Sequence, residues 1–480
     1  MGISYVIRVK LIVTLTVSAR GRHIVLLAQN HENPRKNKLS YVTNLCRTHK
    51  QYLRLELAFS DVIHLFELFD LFERHGATLR LVGGSVRDGL LGLPVSDIDL
   101  AVDRDPHWVM DLLRTHHIKV IPTGIDHGTV TAVIDKRPYQ ITTLRVDVQT
   151  FGRRAQVAFT ENWVHDAMRR DFTMNAIYAD KNGHLFDPVG GLEDLHAKRV
   201  RFIGDAALRI QEDYLRILRF FRFSARFGHE PYDAAGLQAC AAYASRVSSL
   251  ARERVTEEFL KILELPTPLY ALEAMQDTGV LTVILHPDPS TGGDLKALVA
   301  LEVAAGTGTH PSALLRLAAL SAPLDETKAH LRLSKKQAGL LTFLNKNHYP
   351  VTPTSFKHQA YVWGKERVLD LCLLQAARRL SAGHASLEKE ARVLGDLHHQ
   401  FDDWEIPSFP LTGADLLREG VQQGKDVGAL LKAVEAWWVA EDLTPDRQAC
   451  LAHLQALLEN GHPADPSLGA KVLRPTERQP

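Results

Sequence analysis

The sequence predicts an α+β fold, with a small head of alternating strands and helices followed by an elongated all-α remainder. Three observations predict it. Short alternating segments rich in Val, Ile, Leu and Thr, punctuated by glycine, occupy the chain up to about residue 201. Beyond that point apolar residues recur at helical spacing to about residue 461. The length of 480 residues suits two to four cores, at roughly 100–200 residues per domain. The expected organisation is a basic extension over 1–55, a head over 56–200, a helical neck over 201–265, a helical body over 266–345 and a helical tail over 346–480.

Composition narrows the class. With 45% hydrophobic and 24% charged residues the chain is globular rather than low-complexity. A net charge of +1 means that any nucleic-acid partner must be met by local patches of Lys and Arg. Cys46, Cys240, Cys372 and Cys450 lie far apart without a CxxC pair, which argues for reduced thiols rather than disulfides or zinc. No run of about 18 apolar residues exists, so no membrane span and a cytoplasmic location are expected. Residues 1–50 carry nine Lys or Arg against the single acid Glu32. This stretch, with its apolar run 11–17, reads as a loose basic extension or as a targeting-like segment.

In the head, Val62, Leu65, Phe66, Leu68, Phe69 and Phe72 make the apolar stripe of a helix over 61–75, stopped by Gly76. A strand over 79–82 meets Gly83-Gly84, and Ser85 is placed to cap a helix over 86–91. Residues 96–102 alternate as a strand. Strands over 130–134 and 140–144 flank Lys136-Arg137-Pro138, a hairpin loop.

Asp97 and Asp99 stand two apart on that strand, so both face one side while Ile98 and Leu100 face the other. Two neighbouring carboxylates repel unless a cation lies between them. The pair reads either as an exposed acidic strand end or as a grip for a hard divalent ion such as Mg²⁺. Just upstream, Gly83-Gly84 lets the backbone approach a ligand, and the following helix start favours an anion beside Arg87. A strand–helix–strand unit of this kind brings phosphate-binding atoms and metal ligands to one place.

The run LVGGSVRDGLLGLPVSDIDL over 81–100 resembles the signature of the bacterial-type (class II) tRNA nucleotidyltransferase and poly(A) polymerase family, a branch of the polymerase β-like nucleotidyltransferases. The resemblance continues through RDFTMNA over 170–176, DPVGG over 187–191 and EDYLRILR over 212–219. It implies a polymerase β-like head with a mixed or antiparallel sheet, and template-independent addition of nucleotides to an RNA 3′ end. Asp97 and Asp99 would be catalytic and would hold Mg²⁺, where two ions about 4 Å apart can clamp an in-line displacement. Gly84, Arg87 and Arg170 would bind the nucleotide. Asp213 and Arg216 would present hydrogen-bonding edges to the base: a carboxylate accepts from the exocyclic amine of cytosine or adenine, which uracil and guanine lack at that position. Arg219 and Arg222 would assist the phosphates or the helix itself, all four side chains stepping by three along one helix.

Some family features are altered. Gln140 stands where a third carboxylate is common, with Asp147 nearby. Arg145 reads as a phosphate contact or a surface charge. Phe151-Gly152-Arg153-Arg154 occupies the place of a flexible loop, with Phe151 where Asp is common; Arg153 and Arg154 read as loop contacts or as a basic turn. The segment 122–131, with His127, is more similar to CCA-adding members than to bacterial poly(A) polymerases. The resemblance thus implies tRNA, CTP and ATP as partners, the neck selecting bases and the tail binding tRNA. Poly(A) addition, partial addition and a catalytically inactive RNA-binding protein are the alternatives.

Overall fold

The computed structural model describes residues 10–18, 21–29, 39–40, 42–43, 56–57 and 59–459, apart from 96, 152–153, 286–291, 306–311, 321–323, 348–349, 352–354 and 403. Two compact units emerge, Met1–Glu258 with Tyr270–Ile284, and Phe259–Leu269 with Leu285–Pro480. In the basic extension, expected to be loose, the backbone carries β1 (Lys10–Ser18) and β2 (Gly21–Gln29), paired antiparallel, and the two-residue β3 (Leu39–Ser40) and β4 (Val42–Thr43); the two-residue β5 (Glu56–Leu57) follows it.

The head begins with α1 (Phe59–Arg74), which buries Leu65, Leu68, Phe69, Leu71 and Phe72. Gly76 ends it at φ 72°, a left-handed position that costs glycine nothing. There follow β6 (Leu79–Val82), α2 (Gly84–Leu90), β7 (Asp99–Val102), α3 (Pro106–Thr115), β8 (Lys119–Gly124), β9 (Thr129–Ile134), β10 (Arg137–Thr143), the hairpin β11 (Arg145–Phe151) and β12 (Arg154–Phe159), α4 (Trp163–Met168), β13 (Tyr178–Ala179), β14 (Leu185–Phe186) and α5 (Gly191–His196). Seven strands form one mixed sheet in the order β14-β13-β6-β7-β10-β9-β8, with only β7 and β10 parallel. The buried row Leu81, Leu100 and Ile141 runs across β6, β7 and β10 in register. The adjacent row pairs Asp99 with Gln140 and therefore faces the other side of the sheet.

Three local expectations need correction. Strand β7 starts at Asp99 rather than Ser96, so Asp97 lies just ahead of it, and Ser96 itself is outside the described residues. Ser85 does not cap α2: Gly83, at φ 71°, starts the helix earlier, and the Ser85 hydroxyl donates back to the Val82 carbonyl at 3.0 Å. The β9–β10 hairpin turns at Asp135 and Lys136, with φ 47° and 65°, which is a two-residue turn matched to the strand twist. Arg137 and Pro138 are consequently strand residues. Strand β8 was not anticipated; its burial pattern is mostly exposed and offers no clean alternation.

Beyond the head the described chain is helical. The first unit adds α6 (Ala206–Glu212), α7 (Leu215–Phe227), α8 (Ala234–Ala242) and, in part, α9 (Arg252–Leu263), with α10 (Pro268–Asp277) and α11 (Val280–Leu285). Helix α7 buries Ile217, Leu218, Phe220, Phe221, Phe223 and Phe227. Its rings dock on the head: Phe202 stacks on Phe220 at 5.4 Å, and Phe172 meets Phe223 at 5.3 Å between centroids.

The second unit holds α12 (Gly293–Ala304), α13 (Ala313–Ala319), α14 (Leu324–His330), α15 (Lys335–Lys346), α16 (Phe356–Trp363), α17 (Lys365–Ser381), α18 (Leu387–Asp402), α19 (Gly413–Arg418), α20 (Lys425–Ala440) and α21 (Arg447–Glu459). Its buried Arg316 pairs with Glu302 at 2.6 Å and donates to the Leu263 carbonyl at 2.5 Å. Burial raises the thiols of Cys240, Cys372 (to about 12) and Cys450, as expected of inert reduced cysteines; Cys46 lies outside the described residues. Among the described residues no helix is long and apolar enough to cross a membrane.

Candidate active site

Because β6 and β7 are antiparallel, the Gly83-Gly84 turn leaving β6 sits beside the acids entering β7. A Cβ built on Gly83 would stand 3.9 Å from Arg170 Nη1 and 4.0 Å from Asp99 Oδ2. The space a side chain would fill is thus bounded by a guanidinium and a carboxylate, as a metal–triphosphate site needs. Asp99 is half-buried, and burial raises its carboxyl pKa; Arg170 opposes that rise and Asp97 adds to it. An acid pair desolvated on one side and repelling on the other fits a hard divalent cation through its oxygens. Among the described residues no group of three or more His, Cys, Asp or Glu forms a metal cage. The register explains this, since the side chain beside Asp99 on β10 is the exposed amide of Gln140.

Arg170 is itself held by Asp166, which the sequence did not single out. Asp166, 1% exposed, accepts from Arg170 Nη2 at 3.0 Å, from the Tyr178 hydroxyl at 2.7 Å, from Arg169 Nε at 2.8 Å and from the Arg145 backbone N–H at 3.3 Å. Burial alone would raise the Asp166 carboxyl; Arg170, Arg169 and the Tyr178 hydroxyl overcome it and hold the group well below the usual carboxylate range. Asp166, with Tyr178, in turn raises Arg170 despite its burial. Helix α4 ends at Met168 with Arg169 as its C-cap, and the segment that follows forms only a 3₁₀ turn, Thr173–Asn175. Asp194, fully buried, accepts from the Thr173 hydroxyl at 2.6 Å and from Arg199 and Arg201, while Asp187 caps Gly191 and Leu192 at 2.8 Å. The DPVGG motif is scaffolding for this turn.

A second chain of polar contacts links the glycine turn to α7. Arg87, 6% exposed, donates Nε to Asp88 and Nη1 to Asn175 Oδ1 at 2.7 Å, beneath the rings of Phe223 and Phe227. Asn175 donates to Asp171 at 3.1 Å, and Arg219 Nε donates to the other Asp171 oxygen at 2.7 Å. Despite burial, Arg219 and the Asn175 amide hold the Asp171 carboxyl down to about 2. Arg219 thus belongs with Arg87, by a route through Asn175 that no spacing in the sequence announces.

The row Asp213, Arg216, Arg219 and Arg222 does not lie on one helix. Asp213 lies between α6 and α7 in extended conformation, φ −154° and ψ 106°. Its Oδ1 accepts from the Leu215 N–H at 3.1 Å, and its Oδ2 pairs with Arg254 at 2.7 Å. Arg216 pairs with Glu212 and donates to the Arg169 carbonyl at 3.2 Å, which sets it against the Arg170 segment. Arg222 is taken up by the buried Glu258. Arg145 donates to the His127 carbonyl, tying the Gly124–Gly128 turn to β11. Arg153 lies outside the described residues, as do the side chains of Arg154 and Asp147. The structure therefore gathers Asp97, Asp99, Gly84, Arg87, Arg170 and Arg219 around the turn, with Arg216 alongside, and leaves Arg145 and Arg222 in internal contacts.

Residues 79–201 match the family described as the Poly A polymerase head domain, and residues 233–291 that described as a probable RNA and SrmB-binding site of polymerase A. Over 424 residues the chain is 32% identical to the mitochondrial CCA tRNA nucleotidyltransferase 1 of Mus musculus, covering 86% of this chain and 96% of that protein. The chain belongs to the tRNA nucleotidyltransferase and poly(A) polymerase family. This nucleotidyltransferase is also 29% identical, over 395 residues, to the CCA-adding enzyme of Bacillus pumilus, with 81% of this chain and 92% of that one covered. The solved structure of the Bacillus stearothermophilus CCA-adding enzyme in complex with CTP superposes at a TM-score of 0.63 and 25% identity, covering 82% of this chain and 97% of that one. The mixed sheet and helical remainder are those of this family, and the family implies a divalent metal.

Proposed function

We propose that this nucleotidyltransferase adds CMP and AMP, from CTP and ATP, to the 3′ end of tRNA, building or repairing the terminal CCA. The observation that carries the reading is the Gly83 turn facing Asp99 and Arg170 within one van der Waals layer. Relatives named CCA-adding enzyme or CCA tRNA nucleotidyltransferase support it, as do a neighbouring structure solved with CTP and, for the fold alone, structures solved with ATP and with tRNA. Asp97 and Asp99 would hold Mg²⁺, which would supply charge stabilisation for the attacking 3′-hydroxyl and the leaving pyrophosphate. Gly84 and Arg87 cradle the triphosphate, with Arg87 oriented by Asn175. Arg170, fixed by Asp166, faces the same cradle and offsets phosphate charge. Positioning and charge neutralisation dominate such a transfer, so the protein supplies a rigid frame rather than a covalent intermediate. Asp213 and Arg216 present the edges that read the base, and Arg219 steadies the phosphate side through Asp171. Arg153 and Arg154 contribute to the loop that accompanies nucleotide addition. The neck selects bases, the body and tail carry the tRNA, and the place of action is the cytoplasm; fractionation of the tagged chain tests the last point, because the mouse relative is named mitochondrial.

The deciding assay offers the enzyme a tRNA that lacks its 3′ CCA, with Mg²⁺ and each labelled triphosphate in turn, followed by sequencing of the product. Ordered C, C, A addition is the expected result. An A-only tail or a stop after C would assign poly(A) or partial addition instead.

Two further outcomes are expected. Gln140→Glu places a third carboxylate beside Asp99. It should tighten Mn²⁺ binding, followed by electron paramagnetic resonance of the free ion, by about tenfold, the scale of one added charge-assisted ligand. Unaltered binding would mean that the β10 position does not face the metals. Raising salt from 50 to 200 mM should weaken tRNA binding, with a slope of about one decade per decade of salt for each phosphate contacted. Binding that is flat with salt would rule out a basic track on a chain of net charge +1.

A further inference from the structure

Asp213 owes its orientation to a residue 41 positions downstream. Leaving α6 in extended conformation, its carboxylate has two fixed donors: the Leu215 N–H at 3.1 Å on Oδ1 and Arg254 Nη2 at 2.7 Å on Oδ2. The terminal torsion of an aspartate is broad and roughly two-fold when nothing holds it. With one donor on each oxygen the plane of this carboxylate is set, and its remaining lone pairs point in defined directions. Template-free base choice by a carboxylate depends on such a direction, because it must meet an exocyclic amine and repel a carbonyl at the same place.

The pair is poorly suited to a role in stability. Both side chains are about one-quarter exposed, at 26% for Arg254 and 24% for Asp213, and exposed ion pairs contribute little to folding. The link between α7 and α9 does not rest on this pair alone, since Arg222 pairs with Glu258, 6% exposed, four residues beyond Arg254. Val255, next to Arg254 in the chain, is buried. An ordered, partly open ion pair that fixes a base-reading group, on a helix anchored by other contacts, is the arrangement of a positioning device.

We infer that Arg254 is a positioning residue for nucleotide selection: it holds the Asp213 carboxylate in the one orientation that distinguishes amine-bearing from carbonyl-bearing bases. The inference rests on the reading of Asp213 given above. Removing Arg254 leaves the triphosphate cradle and the carboxylate pair untouched, so the loss should fall on discrimination rather than on nucleotide affinity in general.

The test compares Asp213→Ala, Arg254→Ala, Arg254→Lys and the Asp213→Ala/Arg254→Ala double variant, each checked by thermal melting. Single-turnover incorporation of CTP, ATP, UTP and GTP onto tRNA ending before its CCA is measured for each. Asp213→Ala should relax selectivity. Arg254→Ala should lower the preference for CTP over UTP by about tenfold or more while the KM for CTP stays within about twofold. Arg254→Lys should restore part of the preference by keeping a donor, and the double variant should be no less selective than Asp213→Ala alone, because the two act as one unit. Unchanged selectivity in Asp213→Ala would overturn the base reading itself. Relaxed selectivity in Asp213→Ala together with wild-type selectivity in Arg254→Ala and Arg254→Lys, or additive losses in the double variant, would overturn the role of Arg254 while leaving that of Asp213 standing.

Discussion

Replacing Asp97 and Asp99 together with alanine is expected to abolish nucleotide incorporation, by at least about a thousandfold, while leaving the fold intact or slightly firmer. The magnitude follows from the several kcal/mol of charge stabilisation that bound metal supplies to such a transfer. The second half of the expectation is the less obvious one. Burial raises the Asp99 carboxyl and Asp97 adds to the rise, with Arg170 offsetting only part of it. A group whose folded pKa lies above its unfolded value costs stability wherever it is ionised, which is the case at neutral pH. Removing it therefore relieves a strain that catalysis requires. Incorporation, tRNA binding and melting temperature should be measured on the same preparation. Incorporation near the wild-type rate would remove the metal assignment. A large fall in melting temperature would show the acids to be structural instead.

What the sequence made legible follows a physical division. Features fixed within a few residues of one another were readable: the Gly83-Gly84 turn, the Asp97–Asp99 spacing, the strands β6 and β9, and the change from alternating to helical pattern near residue 201. Where local rules compete, the reading slipped by a residue or two. Ser85 is a good cap by type, but Gly83 at positive φ starts α2 first and leaves the Ser85 hydroxyl to the Val82 carbonyl. The i,i+3 row through Asp213 presumed one continuous helix, whereas the chain breaks at Asp213 and restarts at Leu215. Contacts between distant segments left no trace in spacing at all. Asn175 reaches Arg87 across 88 residues and Arg254 reaches Asp213 across 41. Such partners are set by how the sheet and α7 pack, and nothing in the motif over 170–176 sets Asn175 apart from its other uncharged polar member, Thr173. The second unit carries no motif because its side chains mostly serve packing, as in the core of Leu416, Val434, Trp438, Cys450 and Leu454.

Asp166→Asn is the change expected to cost most in stability. The substitution keeps the shape of the side chain but removes the counter-charge for Arg170 and Arg169 and reduces the capacity to accept from Tyr178 and the Arg145 N–H. Breaking a buried pair by removing one partner typically costs about 3–5 kcal/mol, because the other charge is left uncompensated. The pH dependence identifies the cause. Although burial works against it, the two guanidinia and the Tyr178 hydroxyl depress the Asp166 carboxyl below its unfolded value. Such a group contributes its full stabilisation above the unfolded pKa, about 4, and loses it as pH falls from there toward the folded pKa. The wild type should therefore lose melting temperature below about pH 4, whereas Asp166→Asn should start lower at pH 7 and fall less steeply. Part of the slope should survive in the variant, since Asp171, held down to about 2 by Arg219 and Asn175, titrates in the same window. Function should follow by a separate route: with Arg170 no longer fixed beside Gly83, the KM for CTP and for ATP should rise together, because the lost contact lies on the phosphate side and not at the base. Parallel melting curves for the two proteins between pH 2 and 7 would place the depressed carboxyl elsewhere, and an increase in KM for one nucleotide alone would move Arg170 from the triphosphate to the base.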